Sequence, residues 1–109
     1  MKVVLNVHDE VMASQVCIMD LHSNLQAAGV EAVLNDWDHY DKYDVVVFMG
    51  HDAHIENAVR QNPTIRIAVA DPKLSQPEYI EAARSASFLM VSSVEQRDVF
   101  LKLNRNILV

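Results

Sequence analysis

Residues 43–52, Tyr43-Asp44-Val45-Val46-Val47-Phe48-Met49-Gly50-His51-Asp52, carry an unbroken apolar run and then turn abruptly polar. The run is short and rich in β-branched valine, so it reads as a strand buried on both faces. The same pattern recurs on either side of it. Val3-Val4-Leu5-Asn6-Val7 and Ala32-Val33-Leu34-Asn35 come before, and Ile65-Arg66-Ile67-Ala68-Val69 and Phe88-Leu89-Met90-Val91 come after. Each run has a polar exit: His8-Asp9-Glu10, Asp36 to Tyr40, Gly50-His51-Asp52, Asp71-Pro72-Lys73 and Ser92-Ser93. In an open parallel sheet the carboxyl ends of the strands share one edge, and ligands bind there. The polar exits therefore mark where a site should stand.

Helical patterns fill the gaps. From Ser14 to Ala28, the residues Cys17, Leu21, Leu25 and Ala28 recur at helical spacing, and Gly29 stands where a helix-terminating glycine belongs. A short helix is expected from Asp52 or Ala53 to Asn62, with Asp52 as its cap and Asn62-Pro63 as its stop. Ser75-Gln76-Pro77-Glu78 has capping-box spacing for a helix to about Ser85, and Ser93-Val94-Glu95-Gln96 has it for a helix to about Asn104. The stretch from Asp36 to Asp44 lacks a helical stripe and reads as a loop. Asn106-Ile107-Leu108-Val109 begins a sixth strand. This alternation predicts an α/β fold, a doubly wound parallel sheet of Rossmann-like or flavodoxin-like three-layer type, as a single domain over residues 1–109. The order of the strands is open at this level. Because the chain stops inside an apolar run, we expect it to be cut from a longer protein rather than to close the sheet at Val109.

Composition narrows the function. Half the residues are apolar and 22% are charged, the balance of an ordinary globular protein. A formal charge of −6 with scattered Lys and Arg argues against nucleic-acid or anionic-membrane partners. One cysteine, Cys17, excludes an internal disulfide, and neither a signal peptide nor a membrane-spanning run is evident, so a cytoplasmic location is expected. With only Gly29 and Gly50 present, no glycine-rich phosphate loop is available.

Several exits carry groups with chemistry. His8, His39, His51 and His54, with Asp9, Asp36, Asp38 and Asp52, offer metal-ligand atoms at strand tips, but no pair has a diagnostic metal spacing. Solvated loop residues are the simpler account, and no metal or cofactor is expected. Asp9-Glu10 with Asp52 falls short of a phosphoacceptor pocket, since Asp52 lies beyond Gly50-His51 and no lysine follows the fifth strand. Asn6-Val7-His8 has Asn6 where a cobalamin-binding D-x-H-x-x-G motif needs aspartate, and Val11 where it needs glycine. Trp37, Tyr40 and Tyr43 form either a ring-stacking wall or a cover over the end of the core. Cys17 and the methionines at 12, 19, 49 and 90 are expected to pack. Ser92 and Ser93 could bind an anion at a helix start, although capping alone explains them.

Residues 43–109 resemble the end of the N-terminal domain of GT-B glycosyltransferases. Met90-Val91-Ser92-Ser93, Arg97-Asp98-Val99-Phe100 and Asn106 to Val109 match its strand, "V-S", "R-D" helix and final strand. Tyr43-Asp44-Val45-Val46-Val47 with Gly50-His51 is similar to its "YDVV…H" segment, and Ile65 to Pro72 to its next strand and exit. His8-Asp9-Glu10-Val11 departs from the glycine-rich loop that many members carry after the first strand. The resemblance implies an acceptor-side domain, inactive alone, of an enzyme moving a sugar from a nucleotide-sugar donor to a hydroxyl acceptor without a bound metal. The donor half would lie in a C-terminal domain beyond Val109, and an exposed docking face would favour homodimers. His51 would touch the acceptor or the developing charge, and His8 and Asp9 would line the cleft. The substrate-binding candidates are then His8, Asp9, His51, Asp52, Asp71, Ser92 and Ser93. The alternative is a complete flavodoxin-like binding or signalling module without catalysis. A small metal-dependent enzyme built on the His and Asp strand tips is the third reading.

Overall fold

The computed structural model describes residues 1–8 and 12–109, of residues 12–15 the backbone only. The chain runs β1 (Lys2–Asn6), α1 (Met12–Ala27), β2 (Glu31–Leu34), a 3₁₀ turn (Tyr40–Lys42), β3 (Val45–Met49), α2 (Ile55–Gln61), β4 (Arg66–Ala70), α3 (Pro77–Ser85), β5 (Phe88–Met90), α4 (Val94–Phe100) and β6 (Ile107–Leu108). All six strands are parallel, in the order β2-β1-β3-β4-β5-β6. This is the expected Rossmann-like or flavodoxin-like α/β sandwich, and the apolar runs are its strands.

The strand order follows from two directions of winding. From β1 the chain steps outward through α1 to β2. It then returns to place β3 on the other side of β1 and steps away through α2, α3 and α4. With right-handed crossovers, these two directions put the helices on opposite faces. The packing agrees. On one face Ile18, Leu21 and Leu25 of α1 lie over Val3, Leu5, Val45, Val47 and Ala68. On the other, Ala58, Ala83 and Phe100 of α2, α3 and α4 lie over Val4, Val46, Phe48, Val69 and Leu89. Alternate residues of each strand thus serve opposite cores, which is why the runs contain almost no polar residue. The α1 face is less fully covered toward β5 and β6, where Phe88 and Met90 are half-buried and Leu108 is exposed.

Local signals held unevenly. Gly29 ends α1 at φ +82°, with Val30 N–H donating to Leu25 and Gly29 N–H to Gln26, a Schellman arrangement. Asn62 caps the end of α2 as Pro63 requires. Ser93 caps α4 by accepting from Gln96 N–H at 3.1 Å, but α4 stops at Phe100, short of Asn104. The other two capping expectations are corrected. Gln76, not Ser75, is the N-cap of α3 and makes no side-chain cap bond, because Pro77 already sets the first turn. His54, not Asp52, precedes α2. Cys17 and Met19 are exposed, since Ile18 takes the inward position on α1. Met49 does pack in the core and Met90 is half-buried. Among the described residues no helix is long and apolar enough to cross a membrane.

Candidate functional site

The strand order reverses between β1 and β3, and the crevice outside their carboxyl ends is where an open α/β sheet binds ligands. The register Asn6↔Phe48 sets those two ends side by side. Two residues past β1 stands His8, and past β3 stand Asp52 and His54. Asp52 lies between the histidines. Its Oδ2 accepts the His8 backbone N–H at 3.1 Å and sits 3.1 Å from His8 Nδ1, while its Oδ1 is 2.8 Å from His54 Nε2. Burial opposes ionisation of Asp52, but the bonds from His54 and His8 outweigh it and hold the carboxyl below its ordinary range.

β2 supplies the floor. Trp37 stacks flat on His8, with centroids 3.6 Å apart and planes 6° from parallel, and meets His54 edge-on at 5.1 Å. Behind it lies Phe48 of β3, at 5.9 Å. Two asparagines position the Trp37 loop. Buried Asn6 donates to the Asp36 carbonyl at 3.0 Å and to the Tyr40 hydroxyl at 3.1 Å, and it accepts the Asp36 N–H at 3.0 Å. Asn35, in the left-handed region at φ +55°, returns the favour by accepting Val7 N–H at 2.8 Å. Asparagine tolerates that backbone better than most residues. Of the three loop aromatics, Tyr40 and Tyr43 cover the end of the core and only Trp37 faces the site.

Below this floor Tyr43 donates to Asp36 Oδ2 at 2.7 Å, and His39 Nδ1 is 2.8 Å from Asp36 Oδ1. The Tyr43 bond foremost lowers the Asp36 carboxyl from 3.8 to about 2. Tyr43 is pushed up to about 12, by burial first and then by Asp36. Because the folded state favours the Asp36 anion, this contribution is complete above the ordinary value of 3.8 and is lost as pH falls toward 2. Tyr43→Phe should therefore cost about 1 kcal/mol at neutral pH, after allowing for solvent around the pair. Its deficit in urea unfolding should shrink below pH 4. A deficit that stays constant down to pH 2 counts against this role for the bond.

Of the remaining predicted residues, Asp71, Ser92 and Ser93 stand apart from this cluster. His51 borders a small cavity of about 130 Å³ together with Asp52 and His54 of the cluster and with Glu78 and Tyr79. Asp71 and Ser92 line a separate cavity of about 510 Å³ against Cys17, Asp20 and Asn24 of α1. There Asp71 pairs with Lys73 at 2.9 Å, and the N–H and hydroxyl of Ser92 both donate to Gln96. The Ser92 donors and the Lys73 ammonium are thus engaged, and the Ser93 hydroxyl accepts from Gln96 N–H as the cap of α4. Cys17 gains no thiolate character, since burial, Asp71 and Asp20 all push it up. Asp9 and Glu10 lie outside the described residues. A larger cavity, about 710 Å³, opens at the amino edge of the sheet beside Tyr43, Asp44 and Arg66, and none of His8, Asp52 and His54 lines it. His54, expected only as one of four possible metal-ligand histidines, and Trp37, expected only as one of three loop aromatics, were not singled out for this site, because neither has a local spacing that ties it to His8.

No protein-family model matches the chain, and no curated protein or solved structure does either. The Rossmann-like parallel sheet is present, while the likeness to glycosyltransferases has only the motifs of residues 43–109 behind it.

Proposed function

We propose that this domain binds a small ligand at the β1–β3 switch point, held by His8, Asp52 and His54 over the face of Trp37. One observation carries the reading. Side chains from the exits of three different strands converge where the strand order reverses, and the two imidazoles stay half-open to solvent around a carboxylate that is mostly covered. Buried structural polar groups are normally sealed, whereas binding groups converge at an accessible crevice. A fragment screen followed by ¹H–¹⁵N spectra tests it. Hits should perturb residues 36–40 and 50–55 together. Hits confined to the cavity beside α1, or spread without focus, would overturn it.

A second reading keeps the acceptor-side glycosyltransferase domain. It is favoured by the placement of His8, His51 and Asp52 on one carboxyl edge, as the resemblance requires. It expects the protein in its source cells to be roughly two or three times the size of this domain. A species of this domain's own size would remove it.

A further inference from the structure

We propose that His8, Asp52 and His54 form a site for a divalent first-row transition ion, zinc above all. The inference rests on the switch point being a ligand site, and it names the ligand's chemistry. Each residue offers one donor atom, and the three atoms lie within 4.8 Å of one another. The shortest separations, 2.8 Å to His54 Nε2 and 3.1 Å to His8 Nδ1, are both measured from Asp52. A tetrahedral ion with bonds of about 2.0–2.1 Å keeps its ligands about 3.3 Å apart. Side-chain adjustments that change these separations by up to about 1.5 Å therefore accommodate one, with bond lengths in the usual range.

The donor set decides the class of ion. Two imidazoles and one carboxylate suit zinc, cobalt or nickel. Magnesium and calcium ask for six or more oxygens, many of them water or carbonyl. Three protein ligands leave a fourth position for water or a further ligand, the pattern of open rather than structural zinc sites. A hydrogen bond to the Asp52 carboxylate requires the proton on His8 Nδ1 and His54 Nε2, whereas metal binding requires the other tautomer, with the proton on the far ring nitrogen and these two nitrogens as neutral donors.

The supporting contacts are of the kind metal sites need. The His8 backbone N–H holds Asp52 Oδ2 at 3.1 Å, and Trp37 stacked at 3.6 Å fixes the plane of the His8 ring. The formal charge of −6 raises the local concentration of cations.

The test uses the untagged 109-residue chain, stripped with a chelator and titrated with Co²⁺ and then Zn²⁺. One equivalent of Co²⁺ should bind, with the intense visible absorption of a four- or five-coordinate ion, and Zn²⁺ should displace it. Trp37 is the only tryptophan and touches both imidazoles, so its emission should be quenched by Co²⁺ and not by Zn²⁺. His8→Ala, His54→Ala and Asp52→Asn should each weaken binding at least tenfold. His39→Ala, which alters the neighbouring His39–Asp36 pair, should leave it unchanged. Thermal unfolding checks each variant. Should Asp52→Asn fail to fold, the half-exposed histidines carry the test. The site is overturned if no equivalent binds up to millimolar metal, or if binding survives all three substitutions. Fragment hits that persist at residues 36–40 and 50–55 would then leave the ligand site standing without its metal. Loss of both would remove the site itself.

Discussion

Gly50→Ala should lower stability by about 3 kcal/mol or more, a drop in Tm of roughly 15 °C for a domain this small. A Cβ at Gly50 would collide with the Asp71 carbonyl oxygen and come within 2.7 Å of Pro72 Cα. Both obstacles are backbone, so neither can swing aside. Gly50 N–H also donates to Ala70 at 2.8 Å, which pins the β3 exit onto the β4 exit. That contact sets the height of Asp52 and His54, so the variant should lose ligand or metal binding along with stability. Gly29→Ala is the contrast. Its new Cβ would meet nothing within 4 Å, and only the left-handed backbone at φ +82° resists it. A cost of about 1 kcal/mol is expected there. Thermal unfolding of the two variants decides the matter. Equal, small losses would mean that space at Gly50 is not limiting.

Asn6→Leu should be at least as damaging, at roughly 3–5 kcal/mol. Asn6 is fully buried and satisfies three groups at once: the Asp36 N–H, the Asp36 carbonyl and the Tyr40 hydroxyl. Leucine is close in size but leaves all three without that partner, and each buried orphan costs about 1–3 kcal/mol. Asn6→Asp separates polarity from shape. At neutral pH it places a carboxylate against the Asp36 carbonyl oxygen, and burial raises its pKa in the folded state. Its penalty should therefore ease as pH falls and the carboxyl regains a donor. Both variants remove the donor to the Asp36 carbonyl that helps tie the Trp37 loop to β1, so Trp37 emission should change before global unfolding. Emission that follows only the global transition would show that Asn6 does not position the site.

These two residues show why sequence reading reached some features and missed others. Gly50 stood out as one of two glycines and as part of a polar strand exit, and Asn6 as the polar member of an apolar run and a substitution in a motif that the chain lacks. Their roles depend on what lies across a strand or a loop. Neighbouring residues do not encode that. The helix ends at Gly29, Asn62 and Ser93 were legible because the partners in each cap lie within about five residues of one another. Asp52 was misassigned as a cap for the same reason in reverse. Its nearest use in sequence was the start of α2, but folding offered it His8, 44 residues away.

The amino-acid sequence by itself determined the alternation of strand and helix, the parallel sheet and the edge on which polar exits gather. Each of these follows from local periodicity and from the burial of apolar runs, which are properties of short stretches. The tertiary structure alone decided the strand order, the union of His8 with Asp52 and His54, and the seating of Trp37 beneath them. Those depend on the pairing of β1 with β3 at Asn6↔Phe48. That register is chosen by the packing of the whole sheet, so no single segment reveals it.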